Sequence, residues 1–387
     1  MELLDVRTTA RAWAGVGCVT VGIFLIVTVE ILPIGLLGAM AAEFGVSAGR
    51  GGWLMTMPGL VAAVAAPVVT VATARLDRRL MLCALMALLA AADFIAAAAS
   101  EYWVELVARA MVGLTIGGFW SIGAGLAARL VPERWVVRAT VVIFAAVPLG
   151  SVLGVPAGTF LGEHLGWRVP FVVLGVLTVG VLVALAVVVP PLPPLQVTGL
   201  AVLRDLLRLK QTRIALAATC LIVAAHFGTY TYITPFLRDV TGTTRISELL
   251  LLYGVAGVAG NFLAGTTVAN HLRTTFITSA ALIAAATLLL PIIGTTTPAA
   301  AALLVIWGVA YGAVPVCSMT WFAVAAPQAR EAATVLFTSS FQATLSTGAL
   351  LGGLVVDASS VSVAMVCGGL TALVMVSVVG CAVLNRR

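Results

Sequence analysis

Apolar residues fill this chain in long unbroken runs, and polar residues are confined to short gaps between them. A helix needs about 20 residues to cross a bilayer. Twelve runs meet that length: 13–41, 51–74, 80–99, 103–130, 139–162, 169–190, 214–237, 247–268, 274–293, 299–325, 332–355 and 359–384. A strand-built barrel would instead alternate apolar and polar positions over short segments. The pattern therefore predicts an all-α integral membrane protein. The longest gap, 191–213, follows Pro190 with Pro191, Pro193 and Pro194. It carries Leu200, Leu203 and Leu207 at helical spacing beside Arg204, Arg208 and Lys210, the pattern of an amphipathic helix lying on a membrane surface. This linker separates an N-terminal six-span bundle, 1–190, from a C-terminal one, 214–387.

The two bundles read as copies. Gly113 and Gly117 recur as Gly308 and Gly312, and Pro132 as Pro327, 195 positions on. Ala139-Thr140-Val141 recurs as Ala333-Thr334-Val335, and Gly154 and Gly158 as Gly348 and Gly352, 194 positions on. The one-residue difference falls in a loop, where indels are tolerated. Two parallel, pseudo-symmetric six-helix repeats imply rocking of one half against the other around a central site.

Charge sets the orientation. With the N-terminus placed in the cytoplasm, 16 of the 21 Lys and Arg residues fall on that side. Arg50, Arg168, Arg238 and Arg245 fall outside, and Arg109 lies within a span. The positive-inside rule then makes both termini cytoplasmic. Only 9% of residues are charged, against about 25% in a soluble domain. The net charge of +6 lies in short clusters rather than one stripe, so nucleic acid is not an expected partner. The six Cys lie within spans without metal-ligand spacing and read as small apolar filler. The first apolar run exceeds the 7–15 residues of a signal-peptide core, so the N-terminus is expected to be retained. With no phosphate-binding loop, nucleophile–base pair or metal cluster in the sequence, the expectation is neither an enzyme nor an ATP-driven pump, and no cofactor.

The residues that carry chemistry are the few polar ones inside spans. Glu30 stands in Thr28–Gly35, TVEILPIG, three residues before the helix-breaking Pro33. A carboxylate at that depth costs about 2.5–3.5 kcal/mol to insert, which points to a protein-lined cavity and a proton or cation. Asp93 and Arg109 each lie about 9 Å below the outer surface at 1.5 Å per residue, joined by a short turn, so an Asp93–Arg109 ion pair is expected. That pair either lets Arg109 insert or leaves Arg109 to tune Glu30, since a nearby cation favours the carboxylate and burial disfavours it. His226, midway along span 7, is either a satisfied hydrogen-bonding residue or a site on the second half. Tyr232-Ile-Thr-Pro235 echoes Glu30-Ile-Leu-Pro33, which makes Tyr232 the counterpart of Glu30. Trp120, Tyr230 and Tyr311 are aromatic residues that pack or line a cavity. Asn261 and Gln342 are mid-span amides, fitted to interhelical hydrogen bonds or to a ligand. Gly150, Gly154, Pro156 and Gly158 allow close packing and kink span 5.

These residues resemble the major facilitator superfamily, and within it the drug:proton antiporters, in particular bacterial sugar-efflux transporters. The resemblance runs over essentially the whole chain. The first-span pattern falls on Thr28, Glu30, Pro33, Gly35, Leu36 and Leu37, and the fourth-span pattern on Arg109, Gly113 and Phe119-Trp120-Ser121. The antiporter pattern of span 5 falls on Gly150, Gly154, Pro156 and Gly158, followed by Gly166-Trp167-Arg168. The span-7 pattern falls on Ala225, His226, Phe227, Tyr232, Pro235 and Phe236. One departure concerns the loop after span 2: only Asp77 and Arg78 match its gate-latch pattern, and Thr73 stands where a Gly belongs.

The resemblance implies that spans 1, 4, 7 and 10 line a cavity in a monomeric carrier of a bacterial inner membrane. It implies export of a small organic solute, drug or sugar-like, driven by a proton gradient through alternating access. Glu30, Arg109 and Asp93 are then the proton-coupling residues; Trp120, His226, Tyr230, Tyr232, Tyr311, Gln342 and Asn261 meet substrate; Asp77, Arg78 and span 5 gate and pack. Proton-driven uptake by the same fold, or a receptor without flux, are the alternatives.

Overall fold

A computed structural model describes residues 2–73, 76–193, 204–327 and 329–384. Leu200 and Leu203 of the expected surface helix lie outside these residues. Every regular element among the described residues is helical. The first half holds α1 (Glu2–Ile31), α2 (Pro33–Glu43), α3 (Trp53–Ala72), α4 (Arg78–Ala98), α5 (Tyr102–Leu130), α6 (Val136–Leu149), α7 (Val155–Leu165) and α8 (Arg168–Val188). The second holds α9 (Lys210–Tyr230), α10 (Ile246–Ile293), α11 (Thr297–Ala325), α12 (Arg330–Ala358) and α13 (Val361–Leu384). Nine helices among the described residues are long and apolar enough to cross a membrane, counting α6 with α7 as one and α10 as two. The long helix α10 bends at His271, whose φ of −133° and ψ of 38° leave the helical region. The other expected spans are occupied by α3, of 20 residues, and by α5 and α12, of 29 residues each.

Proline accounts for the first interruption. Leu32 N still bonds the Thr28 carbonyl at 2.9 Å, but Pro33 has no N–H to give the carbonyl of Val29. Proline suits the first turn of the new helix, where a missing N–H costs nothing, so α2 restarts there. Between α6 and α7 the residues Gly150–Gly154 form one π-helical turn, followed by Pro156 at the start of α7.

Each half has its own apolar core. Ile34, Met55 and Val155 of the first half pack into the core of the second, and Tyr232 of the second packs into the first. The repeated glycines do equivalent work in the two halves. A Cβ on Gly117 would lie 2.8 Å from the Ala62 carbonyl oxygen, seating α5 against α3. Gly308 and Gly312 seat α11 against Tyr253 and Gly257 of α10 in the same way. Gly154 and Gly158 abut Thr28 and Leu32, while Gly348 and Gly352 abut Ala224 and Gly228.

Arg11 near the start of α1 donates to the Val187 and Val188 carbonyls, and Arg78 N to the Leu192 carbonyl, which gathers these segments at one end of the first half. The halves are hydrogen-bonded at the other, far end. Ser47 Oγ donates to Asp357 Oδ2 at 2.7 Å, and Gly49 N to Asp357 Oδ1 at 3.0 Å. Thr56 Oγ1 donates to the Ser346 carbonyl at 3.2 Å, and Thr234 Oγ1 to the Ile34 carbonyl at 2.7 Å. A further tie across the halves is at Glu30.

Candidate functional site at the seam between the halves

Glu30 lies in the last turn of α1 with 7% of its surface exposed. Its Oε1 accepts from Gln342 Nε2 of α12 at 2.8 Å, so the one acid in span 1 is tied directly to the opposite half. Small residues on α7 and in the turn before it hold α1 in place on either side. Gly154 contacts Thr28, Gly158 contacts Leu32, and Gly35 contacts Thr159. Gly254 of α10 meets the same π-helical turn from the second half, its Cβ position 2.9 Å from Val152 Cα. The span-5 residues thus pack against both the acid-bearing helix and the opposite bundle.

The glycine contacts also establish which residues are counterparts. Gly154 and Gly158 frame Thr28 and Leu32, with Glu30 between them; Gly348 and Gly352 frame Ala224 and Gly228, with His226 between them. The counterpart of Glu30 is therefore His226, and the expected equivalence of Glu30 with Tyr232 is corrected. The echo of tripeptide and proline is out of register with the packing by six residues, since 226 and 232 differ by that number.

His226 is fully enclosed by rings. Trp307 Nε1 donates to its Nδ1 at 3.1 Å. Tyr311 stacks on it with centroids 3.4 Å apart and planes at 10°, and Tyr230 stacks at 5.0 Å. Tyr253 extends the stack beyond Tyr230 at 4.4 Å. Tyr311 is half-buried.

The other expected site residues make the following contacts. Tyr232 is fully buried at the far end, where its hydroxyl donates to the Ala349 carbonyl at 2.7 Å. There it fills the space left by Gly52 of one half and Gly353 of the other. Trp120 is half-buried against the core of the first half. Asn261 is half-buried, its backbone beside Gly312. The side chain of Ser121 lies outside the described residues. Asp77 caps α4, accepting from Arg79 N at 2.8 Å and Leu80 N at 3.3 Å. Arg78 bonds the Thr73 carbonyl at 3.0 Å and, through its backbone, the Leu192 carbonyl at 2.8 Å. Both residues act within the first half.

The Asp93–Arg109 ion pair is not made. Arg109 Nε donates to Glu105 Oε1 at 2.9 Å, one turn back on the same helix, with both side chains fully buried. Its Nη1 donates to the Val29 carbonyl at 2.9 Å, the acceptor that Pro33 leaves without its helical partner. Phe171 covers the guanidinium, its centroid 4.9 Å away. Sequence reasoning missed Glu105, although an acid four residues before a buried Arg is a recognisable signal. It also missed Asp357 and Glu43. Glu43, at the far end of α2, accepts from Trp167 Nε1 and from Arg168, and these two donors hold its carboxyl below the usual range.

Two bundles of long apolar helices with a buried acid on their seam fit a polytopic membrane carrier. The chain belongs to the Major Facilitator Superfamily, whose profile matches residues 19–343. It is 30% identical over 355 residues to "Transcription regulatory protein OpdE" of Pseudomonas aeruginosa, covering 89% of this chain and 88% of that protein. It is 30% identical to the "Probable sugar efflux transporter" of Mannheimia succiniciproducens, covering 86% and 85% of the two chains. It is also 30% identical to the "Purine ribonucleoside efflux pump NepI" of Salmonella paratyphi A, covering 89% and 87%. In fold it is similar to the inward-facing, occupied structure of a bacterial homolog of the human lysosomal transporter Spinster, with TM-score 0.74, 14% identity and 95% and 96% of the chains covered. Human MFSD10 (TETRAN), an organic anion transporter, gives TM-score 0.67 at 15% identity, covering 95% and 99%. The protein is thus a multi-pass membrane transporter with efflux-pump relatives, and transporters of this kind are carriers rather than enzymes.

Proposed function

We propose that this protein exports a small neutral organic solute from the cytoplasm in exchange for protons. In this reading it works as a monomer with twelve spans in a bacterial inner membrane and both termini in the cytoplasm. The observation that carries the reading is the Glu30–Gln342 hydrogen bond across the seam. An ionised carboxylate holds an amide donor through a charge-assisted bond, and protonation weakens it. A solute hydroxyl competes for the same amide. Proton and solute then loosen one tie in turn, which is what exchange requires. The names of the Mannheimia and Salmonella relatives direct the choice of solutes to sugars and purine ribonucleosides. With the termini inside, the hydrogen-bonded far end is the outer gate, and this state opens to the cytoplasm.

The test uses purified protein in proteoliposomes with radiolabelled arabinose or inosine and an imposed pH gradient. Exchange predicts solute movement opposite to the proton gradient and reversal when the gradient is reversed. Movement with the gradient would make the protein an uptake symporter, and absence of flux with either solute would leave these two classes of substrate out.

A further inference from the structure

Charge does not balance around Arg109. Asp93 of α4, Glu105 and Arg109 of α5 and Thr178 of α8 are all 0% exposed. The single guanidinium serves Glu105 with Nε and the Val29 carbonyl with Nη1. Oε2 of Glu105 and Nη2 of Arg109 have no hydrogen-bond partner, and the one side-chain donor near the oxygens of Asp93 is the Thr178 hydroxyl, which does not reach full hydrogen-bond geometry. The charges acting on Asp93 are those of Arg109 and Glu105, with Thr178 beside it from α8; Arg168 acts in addition on Glu105. An ionised carboxylate buried with at most one poorly placed hydroxyl donor is not sustained in a protein interior: the group is neutralised instead. Arg168 is already paired with Glu43, which leaves one cation, Arg109, for two acids.

We propose that the Asp93–Glu105–Arg109 cluster is a second proton-binding site, holding one proton on its carboxylates, separate from Glu30. With that proton in place the cluster is one carboxylic acid, one carboxylate and one guanidinium, with no net charge. Asp93 gains an O–H donor, and the oxygen of Glu105 and the hydroxyl of Thr178 are acceptors for it. When the proton leaves to water as hydronium, the cluster carries one negative charge, and the free Nη2 of Arg109 is the donor available to Asp93. Turning it there strains the bond from Nη1 to Val29, which exists because Pro33 cannot supply an N–H. A shift of the α1–α2 junction relieves that strain. Proton occupancy of the cluster is thereby linked to the position of the helix that carries Glu30.

The linkage rests on the proposed role of Glu30 in transport; proton binding by the cluster does not. The experiment therefore reads the proton itself, by infrared pH-difference spectroscopy of the purified full-length protein in nanodiscs and sodium-free buffer, following the carbonyl stretch of protonated carboxylic acids. Glu30→Gln protein is expected to keep one such band, and Asp93→Asn or Glu105→Gln in that background to abolish it, because either leaves one acid for one guanidinium. Isotope-labelled aspartate and glutamate in unmutated cluster residues should shift the same band, which needs no destabilising change. A band surviving in both double variants, no band in Glu30→Gln protein, or a band displaced by added sodium would overturn the proposal. Normal proton-driven transport by Glu30→Gln with the band behaving as expected would instead overturn only the role of Glu30.

Discussion

Arg109 donates to the Val29 carbonyl at 2.9 Å, the acceptor that Pro33, four residues on, cannot serve. The arginine of span 4 thus repairs the helix break beside Glu30 rather than pairing with the acid. Pro33→Ala supplies the missing N–H, and Arg109→Met removes the side chain that replaced it. Breaking a buried pair costs about 3–5 kcal/mol, so Arg109→Met alone should be strongly destabilising. In the Pro33→Ala background the cost should fall by about 1 kcal/mol, the worth of a single hydrogen bond. Denaturant unfolding of the four variants in detergent gives this coupling directly.

Trp307 is the donor to the buried ring of His226, and the imidazole has no charged partner in its aromatic stack. Trp307→Phe keeps most of the packing and leaves Nδ1 without a donor. An unsatisfied buried acceptor costs about 1–3 kcal/mol. Thermal unfolding should show that loss, and His226→Phe in the same background should cost little more than Trp307→Phe alone, because the two remove one interaction.

The far-end closure depends on two glycines around one hydroxyl. A Cβ on Gly52 would collide with the Tyr232 hydroxyl, and its distance to the ring carbon bearing that hydroxyl would be 2.7 Å. Gly52→Ala should therefore open the far end, seen as longer spin-label distances between the exposed positions 42 and 359. Tyr232→Phe in addition makes room for the methyl group and should restore part of the closure, although it also gives up the bond to Ala349. Distances unchanged by Gly52→Ala would contradict the packing described.

Glu43 provides a pH-dependent tie outside the membrane-spanning helices. Its carboxyl is held low chiefly by the Trp167 N–H and then by Arg168. A depressed folded-state pKa means that the tie contributes fully above the ordinary Glu value of about 4.3 and is lost as pH falls through the lower folded value. Unfolding midpoints of wild type and Glu43→Gln should differ at pH 7 and converge as the pH is lowered below that range. The pair is largely exposed, so the difference is small.

Helix positions were legible because burial in lipid forces long apolar runs, and the depth of Glu30 followed from the run that contains it. The repeated glycines were legible as a spacing, and the structure gives that spacing its cause: close contact of α5 with α3 and of α11 with α10. The partners of the buried charges were not legible. Depth and the short turn between their spans match Asp93 with Arg109, but Pro33 directs Arg109 toward Val29, and Glu105 already occupies its Nε. Tyr232 was matched to Glu30 by a local echo, whereas helix contacts, which no local string encodes, match His226. Gln342 was one of two mid-span amides, and only the seam between the bundles distinguishes it from Asn261.

The central claim is that the proton exchanged for solute resides on Glu30. Glu30→Gln keeps the hydrogen-bonding shape toward Gln342 and removes the titration. In proteoliposomes loaded with unlabelled inosine or arabinose, whichever the wild type carries, two rates of labelled-solute movement are compared: exchange with no pH gradient, and movement driven by a pH gradient. The account predicts that Glu30→Gln retains exchange within about a factor of ten, equivalent to about 1.4 kcal/mol, and loses gradient-driven movement. Gradient-driven movement at the wild-type rate in Glu30→Gln protein would contradict it.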